Sequence, residues 1–192
     1  EYTIPLGQAA VKREGKDISI ITCGTGCAMV LKRYNTCFLL EEDTSKLLVD
    51  AGGGSEILIR LDKLGIPVTA LGGMFVTHSH SDHILGTPWV IRAVATAMAE
   101  EGYTGTFTVA ACQRTLSDIR TICEMILGKK LTKFFDSQIL FRQVTDGEEL
   151  DLAGFHITAF DIGSKKMQQF GFLLDTERAK TVRIPVLSCP AL

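Results

Sequence analysis

Histidine is scarce in this chain of 192 residues, which holds only four, and three of those fall between Thr77 and His83. A scatter of surface histidines does not cluster in this way. Charge of one sign is also lacking: Lys and Arg number 20 against 22 for Asp and Glu, a net charge of -2. No bulk positive field draws the chain to nucleic acid or to acidic membranes. Apolar runs of the about 20 residues that cross a bilayer are missing, since the longest, Ile84 to Ala99, is shorter and contains Trp89 and Arg92. No membrane association is expected. No CxxC pair occurs among the six cysteines (Cys23, Cys27, Cys37, Cys112, Cys123 and Cys189), and no signal-peptide pattern precedes them. A disulfide framework is therefore not expected, and buried reduced thiols in a cytoplasmic protein are. Internal repeats, low-complexity stretches and interdomain linkers are absent too. With 46% apolar and 22% charged residues, the chain reads as one domain over residues 1–192 with a core of its own.

What is present centres on Thr77-His78-Ser79-His80-Ser81-Asp82-His83. Upstream, Gly73 to Thr77 reads as a buried strand, and from Ile84 onward the pattern is that of a helix. The histidines therefore sit on a strand-to-helix loop. In an extended segment His78 and His80 leave on the same side, whereas Asp82 and His83, being neighbours, diverge. Imidazole and carboxylate are ligands that zinc prefers, so one loop offers two pairs of donors to two adjacent metals. The alternative is a polar loop without metal whose histidines are satisfied by hydrogen bonds.

Elsewhere strands and helices alternate. Ile18 to Thr22 is a strand, and Gly24-Thr25-Gly26 closes it as a tight turn, because no helix pattern or Lys-Ser pair follows to make a phosphate cradle. Cys37 to Leu40 and Lys46 to Val49 form a hairpin around the polar stretch Glu41 to Ser45. Ile57, Leu58, Leu61 and Leu64 recur at helical spacing, with Ser55 as N-cap and Gly65 as the stop. The helix from Ile84 directs Trp89, Val90, Val94 and Met98 to the core and ends near Gly102; Leu116, Ile119, Ile122, Cys123 and Ile126 mark another after a strand at Thr106 to Ala110. Strands follow at 139–144, 149–152, 155–160 and 170–174, with Asp146-Gly147 as a turn. A helical turn is expected at 9–14. The Lys129-Lys130 and Lys165-Lys166 pairs read as solvated surface.

His78-x-His80-x-Asp82-His83 after an apolar strand resembles the signature of the metallo-β-lactamase superfamily. Lys46 to Gly54, a strand ending in Asp50 and glycines, is similar to an earlier strand of that family. Thr22-Cys23-Gly24-Thr25-Gly26 with Arg33-Tyr34-Asn35-Thr36 is similar to the opening of its ribonuclease Z branch. The resemblance covers roughly the first half of the chain. It implies an α/β fold, a four-layer αββα sandwich in which two sheets pack face to face between outer helices. It implies a metal-dependent hydrolase with two Zn2+ sites, His78 and His80 binding one ion and Asp82 and His83 the other. Asp82 and Asp50 would serve the chemistry, Asp50 by orienting a ligand imidazole. The implied substrate is a small molecule or phosphodiester, and RNA is admitted as a partner. A degenerate, non-catalytic member of the same fold is the alternative.

Two departures shape the expectations. In the resembled family each metal also takes a later histidine, and an aspartate on a later strand bridges both; here Gly163 stands where a histidine is expected, and no Asp or His follows Asp175. The C-terminal part of the fold is thus expected to be incomplete, leaving an unpaired strand edge and a homo-oligomer as its consequence. His156, mid-strand between Phe155 and Ile157, reads as a sheet-face residue. Asp161 and Cys189 remain as spare donors.

Overall fold

The computed structural model describes residues 18–26, 32–100, 102–175 and 182–184. The turn expected at 9–14, Cys27, and Cys189 lie outside the described residues. Among the described residues ten strands form two sheets. The first runs β1 (Ser19–Gly24), β2 (Cys37–Glu42), β3 (Ser45–Val49), β4 (Gly73–Phe75), β5 (Phe107–Ala111), β6 (Ile139–Gln143) in that spatial order; the second runs β10 (Val182–Ile184), β9 (Phe170–Leu174), β8 (Phe155–Asp161), β7 (Glu149–Leu152).

β1, β2 and β3 are antiparallel, so a short turn at Asp43-Thr44 suffices between β2 and β3. From β3 to β6 the pairing is parallel, and parallel neighbours need crossovers. Helices supply them: α1 (Glu56–Lys63), then α2 (Ser81–Ile84) with α3 (Thr87–Glu100), then α4 (Gln113–Ile126) with α5 (Lys129–Thr132). All pairs in the second sheet are antiparallel.

Alternation along the buried strands sorts side chains into two cores. Leu39, Leu48, Met74 and Val109 join Ile57, Leu61, Val90, Val94 and Ile119 under the helices. Phe38, Leu40, Leu47, Val49 and Phe75 meet Leu152, Phe155, Ile157, Phe170 and Phe172 between the sheets, with the Phe75 and Phe172 rings 4.9 Å apart. Helices, first sheet and second sheet make three layers. Among the described residues no helix covers the outer face of the second sheet, where Asp151, His156 and Arg183 are exposed.

Four expectations are corrected. Trp89 is 43% exposed, not in the core; α3 buries Val90, Ile91, Val94, Ala95 and Met98, and at about 100° per residue that sector turns position 89 outward. Ile126, 57% exposed, closes α4 beyond its contact with the sheet. Ser55 occupies the N-cap of α1 without a side-chain cap bond. The helix expected from Ile84 is two helices, with Gly86 between them.

Candidate metal centre

Three successive parallel strands deliver polar groups to one end of the first sheet. Asp50 follows β3, Thr77 to His83 follow β4, and Thr115 and Asp118 lie on α4 after β5. Groups beyond the carboxyl ends of adjacent parallel strands converge, which is where open α/β sheets bind ligands.

Asp50 is the anchor of the cluster. Its φ of +55° is left-handed, a region aspartate enters more readily than most side chains, and it is only 4% exposed. Its carboxylate accepts the Thr77 N–H at 2.8 Å and the Thr77 hydroxyl at 2.9 Å. It also accepts Nδ1–H of His83 at 2.7 Å. The backbone reinforces this: Asp50 N–H donates to Phe75 O at 2.9 Å and Ala51 N–H to His83 O at 3.1 Å. Gly86 N–H donates to Gly52 O at 2.8 Å, and a Cβ at Gly86 would run into Ala51 O, so only glycine lets the two loops touch.

Tautomers follow from this arrangement. The Thr77 hydroxyl has one proton, directed to the carboxylate, so His78 Nδ1, 2.8 Å from that oxygen, must be the donor between them. His78 Nε2 then carries a lone pair, and His80 Nδ1 lies 2.9 Å from it. Burial, reinforced by the charge of His83, pushes the His78 pKa down to about 4, so the lone pair is free at neutral pH. For His83, burial lowers the pKa, but the Asp50 hydrogen bond and the Asp50 and Asp82 charges outweigh it and the net direction is up.

The predicted residues are thus brought together in pairs. His78 Nε2 and His80 Nδ1 face one another, and two nitrogens at that spacing are able to share an ion at about 2.0 to 2.1 Å from each. His83 Nε2 lies 3.6 Å from Asp82 Oδ2, and the His78 and His83 rings, 4.2 Å between centroids, join the pairs. The donor chemistry fits zinc; among the described residues, no group of three or more His, Cys, Asp or Glu is placed to hold an ion. Gly163 is exposed in a left-handed turn at φ +70°. His156 is exposed on the second sheet and bonded to Asp151 at 2.9 Å. The Asp161 carboxylate accepts Gly163 N–H at 2.8 Å and contacts Gln168. The four described cysteines, Cys23, Cys37, Cys112 and Cys123, are free and buried.

Sequence reasoning passed over three supports. Thr77 mediates between Asp50 and His78; its place immediately before the first histidine was the available signal. Tyr34 brings its hydroxyl to Ala51 O at 2.7 Å and Gly54 O at 2.8 Å, fixing the glycine loop after Asp50. Ser79 reaches α4, for which no local signal exists.

The family model described as Anti-Pycsar protein Apyc1 matches residues 18–179, most of the chain. The chain belongs to the Apyc1 family. Named members resemble this Apyc1-family chain over shorter stretches: the Anti-Pycsar protein Apyc1 of Paenibacillus xerothermodurans is 36% identical over 69 residues, 36% of this chain and 27% of that protein. A ribonuclease Z of Bradyrhizobium diazoefficiens is 23% identical over 150 residues, 76% of this chain and 45% of that one. Among solved structures, the metallo-β-lactamase fold protein YhfI from Bacillus subtilis superposes with a TM-score of 0.66 at 16% identity, covering 88% of this chain and 62% of that one. The short form of human tRNase Z gives 0.62 at 16% identity, covering 86% and 67%. The Apyc1-family chain has the metallo-β-lactamase fold. It spans half or less of the length of the curated relatives it matches.

Proposed function

We propose that this protein is a metal-dependent hydrolase of small phosphodiesters, with His78 and His80 holding one Zn2+ and Asp82 and His83 contributing to a second site. The observation that carries the reading is the meeting of His78 Nε2 with His80 Nδ1 at 2.9 Å, on a loop tied to buried Asp50. Zinc at such donors supplies an activated water near neutral pH and positive charge against a developing anion. Asp50 holds His83 by its Nδ1–H and, through Thr77, holds His78 in the tautomer that leaves Nε2 free. The names of the ribonuclease Z and Apyc1 relatives support a phosphodiester. The net charge of -2 and the short connection of residues 162–169 between β8 and β9 favour a small substrate over RNA.

A second reading, a non-catalytic member of the fold, is favoured by Gly163 and by the absence, among the described residues, of three converging donors. Zinc content per chain, measured with hydrolysis of bis(p-nitrophenyl) phosphate and of linear and cyclic nucleotides, separates the two. Turnover lost with a chelator and in His78→Ala supports the hydrolase; zinc bound without turnover supports the second reading; no zinc bound overturns both sites. We place the protein in the cytoplasm, supported by its free buried thiols. Among the described residues no helix is long and apolar enough to cross a membrane. We also propose a homo-oligomer, supported by an open apolar depression of about 300 Å³ lined by Leu58, Val68, Trp89 and Ala93; a strictly monomeric species by light scattering at high concentration overturns it.

A further inference from the structure

The histidine pair is held on two sides, and only one belongs to the Asp50 network. His78 is fixed through Thr77, but among the described residues the His80 ring has a single hydrogen bond, to His78 itself. The His80 backbone is held after the ring by His83 N–H and Ile84 N–H, which donate to His80 O at 2.9 and 3.0 Å, and before it by the intervening residue, Ser79. Its hydroxyl lies 2.7 Å from Asp118 Oδ2 and 3.1 Å from Thr115 Oγ1, both on α4, 39 and 36 residues away. A hydroxyl has one proton, and the carboxylate is the shorter and stronger acceptor, so Ser79 donates to Asp118. Thr115 can then donate to Ser79 while Cys112 Sγ, 3.3 Å away, donates to Thr115. The donors run in one direction and end on a charge. Arg114 Nε, 3.1 Å from both Asp118 oxygens, keeps that carboxylate turned toward the loop.

We propose that Asp118 is a positioning residue for the metal loop: with Thr115 it holds Ser79, and through Ser79 it keeps the His80 Nδ1 aimed at the point that His78 Nε2 faces. The proposal rests on the metal reading of that pair, yet the hydrogen bond between the two rings is measurable without metal.

The test uses the full chain with Ser79→Ala, Ser79→Thr, Asp118→Asn and the double variant Ser79→Ala/Asp118→Asn, each checked for folding by circular dichroism. Long-range 1H–15N correlation of the four imidazoles in the metal-free state reports the tautomers. The expected result is His80 with its proton on Nδ1 in the parent and in Ser79→Thr, and a mixture of tautomers in Ser79→Ala and Asp118→Asn. Zinc competition against a chromophoric chelator should show about ten- to a hundredfold weaker binding in the two single variants, the range typical of lost outer hydrogen bonds. The double variant should lose no more than Ser79→Ala alone, because both changes break one link. Unchanged tautomers in Ser79→Ala, or losses that add in the double variant, overturn the proposal. Failure of the parent to bind zinc overturns the metal reading instead, while the tautomers still decide whether α4 sets the pair.

Discussion

The two sheets share one apolar core, yet the six-stranded sheet supplies every polar group of the site, whereas the four-stranded sheet touches the loop by the Phe170 N–H bond to Thr77 O. The difference lies in connection. Parallel strands β3, β4 and β5 return through helices, so their carboxyl ends are free to carry Asp50, the histidine loop and the start of α4 to one place. The antiparallel strands of the second sheet put turns at their ends, such as Asp146-Gly147 and Ala153-Gly154. One sheet carries the histidine loop and Asp50, and the other closes the core behind them.

The largest effect is expected at the first sheet's anchor. Asp50→Ala strips partners from the Thr77 N–H, the Thr77 hydroxyl and His83 Nδ1 in a buried place, and losing one side of a buried charged pair typically costs about 3–5 kcal/mol. Denaturant unfolding should show that loss, together with loss of zinc binding. Asp50→Asn tolerates the same backbone and keeps the shape, so it should fold and bind zinc about ten- to a hundredfold more weakly. Unchanged zinc binding in Asp50→Asn would reduce Asp50 to a turn residue.

The second sheet should behave in the opposite way. Phe172 is fully buried against Phe75 between the sheets, and Phe172→Ala should cost about 3–5 kcal/mol by the cavity it opens. Zinc affinity of the folded fraction, measured well below the unfolding midpoint, should stay within about twofold of the parent, since 1.4 kcal/mol would already be tenfold. A large change in affinity would make the second sheet part of the site rather than its backing.

Gly86→Ala is a smaller perturbation that falls between the sheet's two loops. The new Cβ collides with Ala51 O, which must move, and overpacking of this kind costs about 1–3 kcal/mol. Because Ala51 adjoins Asp50 and Gly86 follows the histidine loop, thermal unfolding and zinc affinity should fall together.

What could be read beforehand, and what could not, divides along similar lines. The histidine pairs and Asp50 were legible because each is a local pattern: alternation in an extended loop, and an aspartate ending a strand that neighbours the loop's own strand. His156 was legible as a sheet-face residue from alternation alone. The Ser79 to Asp118 link was not, because it joins residues 39 apart and neither has a sequence neighbour that announces it. Trp89 was misplaced because an apolar run around α3 does not show which sector is covered; only packing against α1, α4 and α5 decides that. The cap expected at Ser55 failed because a serine before a helix states an opportunity, while the observed αR backbone at Ser55 (φ -68°, ψ -14°) is not the extended one that capping uses.

The smallest expected effect lies on the exposed face of the second sheet, where His156 Nδ1 meets Asp151 Oδ1 at 2.9 Å. The Asp151 hydrogen bond raises the His156 pKa above its ordinary value; desolvation opposes it, and the Asp151, Glu149 and Asp175 charges add to the rise. A raised folded value means that the folded protein holds the proton more tightly than the unfolded chain. The resulting stabilisation is complete below the ordinary histidine pKa of about 6.5 and is lost as pH rises through the folded value. Exposure keeps it slight, and salt should reduce it further, since exposed charges are screened over about 10 Å at 0.1 M. An NMR titration of the His156 ring should give a midpoint above 6.5 that falls in Asp151→Asn and with added salt. Neither change should alter zinc binding, because among the described residues no hydrogen bond joins that face to the histidine loop; a zinc affinity that moved with Asp151→Asn would break the separation between the two sheets.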